Sequence, residues 1–339
     1  MNEKINIITD SGDKVEAQAP VIISASRSTD IPAFYAKWFL NRLKAGYCVW
    51  YNPFNSQPMY VAFKNTKAIV FWSKNPKPLI PYLNELNERS IHYYFQFTLN
   101  DYDKEQFEPY VPAVEKRIET FKELSKKIGK QKVIWRFDPL VMTDKIGTDE
   151  LLKKIETIGN QLKGYTEKLV FSFVDIGDYY KKVANNLKRH NINYHEFTPL
   201  TMNELASGLC ELNKNWGFSL ATCAEQIDLK AYGIERNRCI DGELMKRIFA
   251  EDRDFVYYLS YGKLPEKNSL FPASIPVKEV NMKDKGQRKF CDCMISKDIG
   301  MYNTCTHFCV YCYANTSKET VLKNRKRYVE NSESIISSI

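Results

Sequence analysis

The sequence predicts an α/β protein built on a (β/α) barrel, full or partial and similar to a TIM barrel, and three observations lead to this fold class. Short apolar runs rich in β-branched and aromatic residues alternate with longer amphipathic stretches. Near-continuous apolar strands separated by helices indicate a parallel sheet that is buried on both faces. At least six such units occur without a glycine-rich dinucleotide-binding loop, which favours a barrel over an open doubly wound sheet.

The chain divides into four predicted parts, which are an amino-terminal β-hairpin (1–20), the barrel (21–263), a polar connector with a cysteine-rich segment (264–315) and a basic helix or tail (316–339). The hairpin is predicted because a turn at Asp10-Ser11-Gly12-Asp13 separates two short strands. Proline breaks mark residues 47–63 as a second hairpin, inserted into the barrel.

The barrel strands and helices are predicted from hydrophobic periodicity. The strands are Val21–Ala25, Ala68–Trp72, Tyr93–Phe97, Val133–Phe137, Leu169–Phe173 and Gly217–Ala221. The helices between them include Val114–Ile128, Thr148–Leu162 and Thr201–Asn215. The last helix is predicted to open with a capping box formed by Thr201 and Glu204.

Most predicted strands run directly into polar or charged residues, at the sheet edge where parallel α/β proteins bind ligands. Such residues can simply begin loops. Arg136 and Asp138, however, lie in an otherwise apolar strand, and a half-buried charge is costly unless it is paired or used. Glu225 follows the sixth strand. We interpret these three residues as candidate catalytic groups that contact substrate or cofactor.

Composition narrows the class of protein. The 339 residues are 44% hydrophobic and 27% charged, which is ordinary for a globular chain and excludes a disordered one. The net charge of +8 is spread along most of the sequence, so it permits an anionic partner such as nucleic acid without requiring one. The sequence contains neither a membrane-length apolar run nor a signal peptide pattern, which predicts a cytoplasmic protein with no membrane association.

The nine cysteines carry the most specific signal. Their number is odd, and a cytoplasmic chain seldom forms disulfides, so metal or redox chemistry is expected. Five of them lie between Cys291 and Cys312. Cys48 and Cys210 stand alone and are interpreted as small buried side chains.

Cys305, Cys309 and Cys312 follow the spacing C-x3-C-x2-C. Three thiolates so close together can bind three irons of one cubane cluster and leave the fourth iron without a protein ligand, unlike a fully ligated electron-transfer cluster. An open iron can coordinate a substrate or cofactor, as catalytic metal sites do. The alternative is a zinc site in which His307 joins the three cysteines, although zinc ligands are usually C-x2-C pairs separated by a longer loop.

This spacing, with Tyr311 before the third cysteine, resembles the cluster motif of radical S-adenosylmethionine (radical SAM) enzymes. The resemblance implies a 4Fe–4S cluster whose open iron chelates S-adenosylmethionine, and a 5′-deoxyadenosyl radical that takes a hydrogen atom from the substrate. It places Tyr311 near the adenine. The implied partners are a substrate of unknown identity and an electron donor such as a flavodoxin or ferredoxin.

The whole chain from Ile22 to Asn315 resembles the bacterial family called domain of unknown function 1848. The resemblance is carried by ISASRSTDIPAF, VFWSKNP, YFQFTL, IWRFDP, TCAE, CID and the stretch from Asp298 to Asn315. In radical SAM enzymes the cysteine motif usually follows the first strand, whereas here it lies near the end. A circularly permuted barrel resolves the difference if Met294–Tyr302 supplies a strand beside Val21–Ala25.

Under that arrangement Ser26, Arg27 and Asp30 occupy the place of the superfamily's cofactor contacts. No Gly-Gly-Glu sequence occurs there.

The remaining cysteines, Cys223, Cys239, Cys291 and Cys293, fall within or beside the same family stretches. Four thiolates can hold an auxiliary 4Fe–4S cluster, a structural zinc ion, or nothing. Two further functions also stay open. One is a nucleic-acid repair enzyme resembling spore photoproduct lyase, and the other is a non-catalytic barrel stabilised by zinc or a cluster.

Overall fold

The computed structural model describes residues 3–174, 181–265 and 278–337. Part of the predicted connector and the last residues of the predicted tail lie outside these ranges. The described strands are β1 (Glu3–Ile8), β2 (Lys14–Ala19), β3 (Ile22–Ala25), β4 (Tyr47–Tyr51), β5 (Pro58–Ala62), β6 (Ala68–Ser73), β7 (His92–Thr98), β8 (Val133–Leu140), β9 (Met142–Thr143), β10 (Lys168–Phe173), β11 (Tyr194–His195), β12 (Ser219–Thr222), β13 (Ile234–Arg236) and β14 (Lys297–Asp298).

The described α-helices are α1 (Ile31–Phe34), α2 (Ala36–Ala45), α3 (Leu83–Glu88), α4 (Val114–Ile128), α5 (Thr148–Leu162), α6 (Lys181–Arg189), α7 (Pro199–Trp216), α8 (Gly242–Ile248), α9 (Arg253–Tyr261) and α10 (Lys318–Lys326). Within the described ranges, none of these helices has the length and apolarity needed to cross a bilayer.

In the part of the chain that the structure describes, eight parallel strands form the main sheet, in the order β13-β12-β10-β8-β7-β6-β3-β14. The α/β class is therefore confirmed, and the six predicted strands are the six between the edges. Among the described residues the sheet is open, because β13 and β14 are its edge strands and do not pair with each other. A closed barrel is thus not observed.

The strand β14 lies where the permuted arrangement requires it. It pairs in parallel with β3, with Lys297 opposite Ile23 and Asp298 opposite Ser24. The strand is only two residues long, because the Asp298 carboxylate ends it by accepting a hydrogen bond from the Gly300 amide at 2.9 Å. The carboxyl-terminal cysteine segment therefore enters the fold beside the first strand of the main sheet.

The two hairpins form a second sheet that the sequence did not predict. β1 pairs with β2 and β4 pairs with β5, both antiparallel. A parallel contact between β2 and β5 joins them in the order β1-β2-β5-β4. Each hairpin thereby loses one exposed edge, which is the usual way in which short sheets avoid unpaired backbone groups.

The main sheet is buried on both faces by different elements. Ile69 and Phe71 of β6 pack in a cluster that includes side chains of helices α2 to α5 and α7. Val70, between them, belongs to a second cluster with side chains of α8 and α9 and with the buried Cys293. This alternation follows from the two-residue period of a strand.

The predicted helices α4 and α5 have the predicted bounds. The predicted capping box of α7 was wrong, because the helix begins one turn earlier. Thr198 is its amino-terminal cap and Pro199 is its first residue. Thr201, the third residue of the helix, completes the capping box with Thr198, in the role predicted for Glu204. Proline is well suited to the first helical position because it lacks the amide hydrogen that would there have no partner.

Lys297 connects the two sheets. Its ammonium nitrogen lies 3.3 Å from the ring centroid of Trp50 in β4, and burial lowers its pKa to about 8. At pH values between about 8 and the ordinary lysine range, the unfolded chain therefore holds a proton that the folded chain has released. Folding stability contributed by this group rises with pH across that window.

We expect the free energy of unfolding of the wild type to increase relative to that of a Lys297→Met variant between pH 7 and pH 10. Urea unfolding of both proteins at a series of pH values measures the difference. A difference that does not change with pH would contradict the burial of the ammonium group.

Candidate metal centre

A cavity of about 740 Å³ lies at the carboxyl edge of the main sheet. Its wall contains residues that end or follow β3, β6, β8, β10 and β12, together with the segment after β14. Seven of the nine cysteines line it, namely Cys223, Cys239, Cys291, Cys293, Cys305, Cys309 and Cys312. Cys48 lies fully buried in β4 and Cys210 lies half-buried in α7.

Cys305, Cys309 and Cys312, here called the loop thiols, lie on one loop that follows β14. The Cys312 amide donates to the Cys309 carbonyl at 3.0 Å, which closes a turn between these two ligand candidates. The Asn315 side chain donates to the Cys305 carbonyl at 2.8 Å. Backbone contacts within the loop thus hold the three cysteines of the motif at one wall of the cavity.

Burial raises the pKa of all three loop thiols. The ammonium group of Lys74 acts in the opposite direction on Cys309. Thiolates, not thiols, bind metals, so thiols in this setting lose their protons only when a cationic centre replaces them. The loop is therefore suited to bind a cationic metal centre, whose positive charge stabilises the thiolates.

His307 lies in the same loop but is turned to other partners. Its Nε2 atom lies 2.8 Å from the Asp30 carboxylate, and its Nδ1 atom lies 3.4 Å from the Tyr110 carbonyl. Both ring nitrogens therefore face oxygen acceptors of the protein. This arrangement disfavours the zinc alternative, which requires a ring nitrogen of His307 as the fourth ligand.

Asp30, predicted to contact the cofactor, is in the cavity wall but has a full set of donors. Its carboxylate accepts from the Ser73 hydroxyl at 2.7 Å, the Lys74 amide at 2.8 Å and the Ala33 amide at 3.0 Å, in addition to His307. Asp30 therefore ties the cysteine loop to β6 and caps α1. Asp30 therefore positions the cysteine loop, through His307, and its carboxylate already has its hydrogen-bond partners.

Ser26 and Arg27, the other predicted cofactor contacts, also line the cavity. The Ser26 hydroxyl accepts from the Ser28 amide at 2.9 Å, and the Arg27 amide donates to Asp298 at 2.8 Å. The Arg27 guanidinium lies 5.1 Å from the Trp72 ring centroid. The polar turn after β3 is thus held against β14, and the cysteine loop begins directly after β14 in the chain.

The close approach of Gly300 to this turn leaves no room for a side chain. A Cβ atom at Gly300 would lie 1.8 Å from the Ser26 hydroxyl oxygen and 2.9 Å from that of Ser28. We expect Gly300→Ala to push the turn away and to lower the free energy of unfolding by about 1–3 kcal/mol, the usual cost of overpacking. Chemical denaturation measures the loss.

Gly147 provides the matched control, because a Cβ atom there meets no atom of the described residues within 4 Å. It caps the amino terminus of α5, where Gly→Ala is expected to cost less than about 1 kcal/mol. Equal effects of the two substitutions would show that the turn after β3 has space to adapt.

A buried ionic network lies beneath the cysteine loop, and sequence reasoning missed it. The Glu108 carboxylate is fully buried and accepts from Lys74 at 2.7 Å, Asn100 at 3.0 Å and Arg117 at 3.1 Å. It also accepts a short hydrogen bond from the Tyr311 hydroxyl. Tyr311 is the aromatic residue of the cysteine motif, so the network anchors the loop to the sheet edge through this ring.

The charges in β8 are paired, as the cost of burial requires. Arg136 is buried and forms a short ion pair with Asp138, which also accepts from Ser172. One Arg136 nitrogen donates to Gln96 at 3.1 Å and to the Cys239 sulfur at 3.1 Å. Both residues line the cavity, so the structure places these two candidates at the sheet edge.

Glu225 lies two residues after Cys223 and is absent from the cavity wall. Its carboxylate accepts from the Phe173 amide at 3.0 Å. Burial raises the pKa of Glu225 to about 8. Glu225 therefore holds the end of β10 at Phe173, which is itself a residue of the cavity wall.

Cys223, Cys239, Cys291 and Cys293, here called the edge thiols, come from both edges of the main sheet. Cys223 and Cys239 follow β12 and β13, whereas Cys291 and Cys293 lie in the segment before β14. The sulfur atoms of Cys223 and Cys239 are 3.5 Å apart. The Cys293 sulfur accepts a hydrogen bond from the Cys239 amide at 3.2 Å, and all four thiols line the same cavity.

Within the part of the chain that the structure describes, no three His, Cys, Asp or Glu side chains converge on a point that could hold a single metal ion. The loop thiols and the edge thiols are included in this statement. The geometry therefore differs from a preformed tetrahedral zinc site, in which all ligands meet at one atom.

The fold and the site define an α/β protein with a parallel sheet and a cysteine-lined cavity at its carboxyl edge. The family model described as "Domain of unknown function (DUF1848)" matches residues 22–314, and the chain belongs to this family. No curated protein matches the sequence.

Among solved structures, a similar one is a provisionally assigned alpha-L-fucosidase from Bacteroides thetaiotaomicron VPI-5482, with 10% identity and a TM-score of 0.26. The match covers 56% of this chain and 84% of that one. A TM-score this low does not relate the two folds.

Proposed function

We propose that this protein is a radical SAM-type enzyme that holds a 4Fe–4S cluster through Cys305, Cys309 and Cys312. One observation carries the proposal. A loop with C-x3-C-x2-C spacing borders a cavity of about 740 Å³ at the carboxyl edge of a parallel sheet, where α/β proteins bind their ligands. Three thiols on that loop leave one iron of a cubane without a protein ligand.

When bound and reduced, such a cluster supplies the electron that divides S-adenosylmethionine into methionine and a 5′-deoxyadenosyl radical. The chain's own residues bind and orient the cofactor. The Thr29 hydroxyl is buried in the cavity wall with no hydrogen-bond partner among the described residues. Together with Ser26 and Arg27 it offers polar contacts for the methionine portion. The rings of Trp50 and Trp72 also line the wall and can stack on the adenine.

Arg136 and Asp138 lie on another strand of the same wall. Because the two charges are paired, they are suited to orienting a polar substrate by hydrogen bonds. The electron comes from a separate donor protein such as a flavodoxin or ferredoxin.

We also infer that the main sheet is a partial, circularly permuted barrel. Its strands follow chain order from β3 to β13, with β14 added beside β3. A doubly wound sheet would reverse the order of its strands near the middle. A barrel has no intrinsic first strand, so permutation preserves the position of a site at its edge.

Anaerobic reconstitution with iron and sulfide, followed by addition of S-adenosylmethionine and dithionite, tests the proposed activity. The expected products are 5′-deoxyadenosine and methionine. A protein that contains its iron and sulfide but forms no 5′-deoxyadenosine would overturn the proposal. A protein that binds only zinc would instead support a non-catalytic α/β module.

A further inference from the structure

We propose that the edge thiols hold a second iron–sulfur cluster, in which each of the four irons is bound by one cysteine. This cluster joins the two edges of the open main sheet. Two ligands, Cys223 and Cys239, come from the β12–β13 edge, and two, Cys291 and Cys293, come from the segment that leads into β14. The inference does not depend on S-adenosylmethionine chemistry.

The first support is the number of N–H groups directed at the edge thiols. Cys239 sulfur accepts from Arg136 at 3.1 Å and from the Asn237 side chain at 3.3 Å. Cys293 sulfur accepts from the backbone amides of Cys239 at 3.2 Å and Ile240 at 3.5 Å. A neutral thiol is a weak acceptor, whereas sulfur bound in a cluster is anionic and is commonly surrounded by such donors.

The second support is the placement of positive charge. Four thiolates around a cluster carry net negative charge, which is costly in a buried site unless cations lie nearby. Arg27 shares the cavity wall with Cys239 and Cys293, and its Nη2 atom is buried with no hydrogen-bond partner among the described residues. Arg136 approaches the same group from β8. Two cations, one from β8 and one from the turn after β3, thus lie in the same wall as the edge thiols.

The third support is that the ligand side chains do not converge on one point. The sulfur atoms of Cys223 and Cys239 are 3.5 Å apart, and the Cys293 sulfur lies 3.2 Å from the amide nitrogen of Cys239. No three described ligand side chains meet at one point, as a tetrahedral zinc ion requires. A cubane binds each thiolate at a different iron, so its ligands need only surround a larger body.

A fully ligated cluster suits electron transfer to the loop-thiol centre or the substrate, because it has no open iron. It also adds a covalent link between the segments at the two edge strands, β13 and β14, which do not pair with each other among the described residues. Metal binding of this kind contributes directly to folding free energy.

The decisive experiment removes the loop thiols and measures what metal remains. The full chain carrying Cys305→Ala, Cys309→Ala and Cys312→Ala is purified anaerobically, and iron, acid-labile sulfide and zinc are measured. We expect about four irons and four sulfides per chain, with a reduced-state EPR spectrum that does not change when S-adenosylmethionine is added. About one zinc per chain, or no metal at all, would overturn the proposal.

A complementary pair of variants keeps the test valid if the triple variant does not fold. In the otherwise wild-type chain, the double substitution Cys291→Ala and Cys293→Ala leaves two edge thiols and is expected to remove about half of the iron. Cys210→Ser, on helix α7, is expected to leave the iron unchanged. Equal iron in both variants would contradict the second cluster.

Failure of this inference is distinguishable from failure of the proposed function. Iron retained by the triple variant, together with a wild type that forms no 5′-deoxyadenosine, would reject only the enzymatic proposal.

Discussion

Replacing Glu108 with glutamine is expected to lower the free energy of unfolding by about 3–5 kcal/mol, which is the usual cost of removing one partner from a buried ion pair. Both Lys74 and Arg117 direct charged donors at this carboxylate, and the side chains of Glu108 and Arg117 are fully buried. Glutamine preserves the shape but leaves two cations without a counter-charge. Tyr311 also loses its charged acceptor, so the cysteine loop is loosened.

Urea unfolding of wild type and Glu108→Gln measures the loss. Glu123→Gln is the matched control, because Glu123 forms an exposed ion pair with Lys77, and exposed pairs contribute at most about 1 kcal/mol. Similar losses in both variants would mean that the Glu108 network does not support the fold.

The same carboxylate predicts a specific acid sensitivity. Burial raises the pKa of Glu108, but the charges of Lys74 and Arg117 outweigh it and bring the pKa to about 2. The folded chain therefore binds fewer protons than the unfolded chain between about pH 4.5 and pH 2. The stability that Glu108 contributes is complete above this window and is lost as the pH falls through it. Glu108→Gln is expected to lack this component of the acid transition.

The sequence predicted the main sheet well because its strands are buried on both faces. Such strands appear as uninterrupted apolar runs, and each of the six was found at the expected place. The helices α4 and α5 were equally clear because each has one apolar face. The start of α7 was misplaced by one turn because Thr198 and Thr201 can both cap a helix.

The pairing of distant segments was harder to predict. Each hairpin is encoded by its own turn, but nothing local specifies that β2 pairs with β5. Closure of the sheet is similarly non-local, since it depends on whether the edge strands β13 and β14 meet. The described residues show an open sheet, and strand count alone did not distinguish it from a closed barrel.

Parts of the site escaped prediction for the same reason. Glu108 follows a loop that contains Asp101, Asp103 and Glu105, so in the sequence it resembles one more exposed acid. Its importance comes from Lys74 and Arg117, which lie far from each other in the chain. The cysteines were found because their residue type is rare and their spacing is specific. The remaining wall residues carry no such local signal.

Cys309→Ala is expected to abolish formation of 5′-deoxyadenosine, which is the largest effect predicted for this protein. Cys309 is buried, lines the cavity and is joined to Cys312 by a backbone hydrogen bond. Loss of this thiolate leaves two loop thiols, which are insufficient to hold the cluster. The measurement is chromatographic analysis of the reduced, reconstituted protein after incubation with S-adenosylmethionine.

Cys210→Ala is the control for this activity, since Cys210 lies on α7 and is absent from the cavity wall; it is expected to form 5′-deoxyadenosine at the wild-type rate. In Cys309→Ala, iron is expected to fall by about half, because the edge thiols are intact. Product formation retained by Cys309→Ala would show that the loop thiols are not the ligands of the reactive cluster. Product lost with all iron retained would instead place Cys309 at the cofactor.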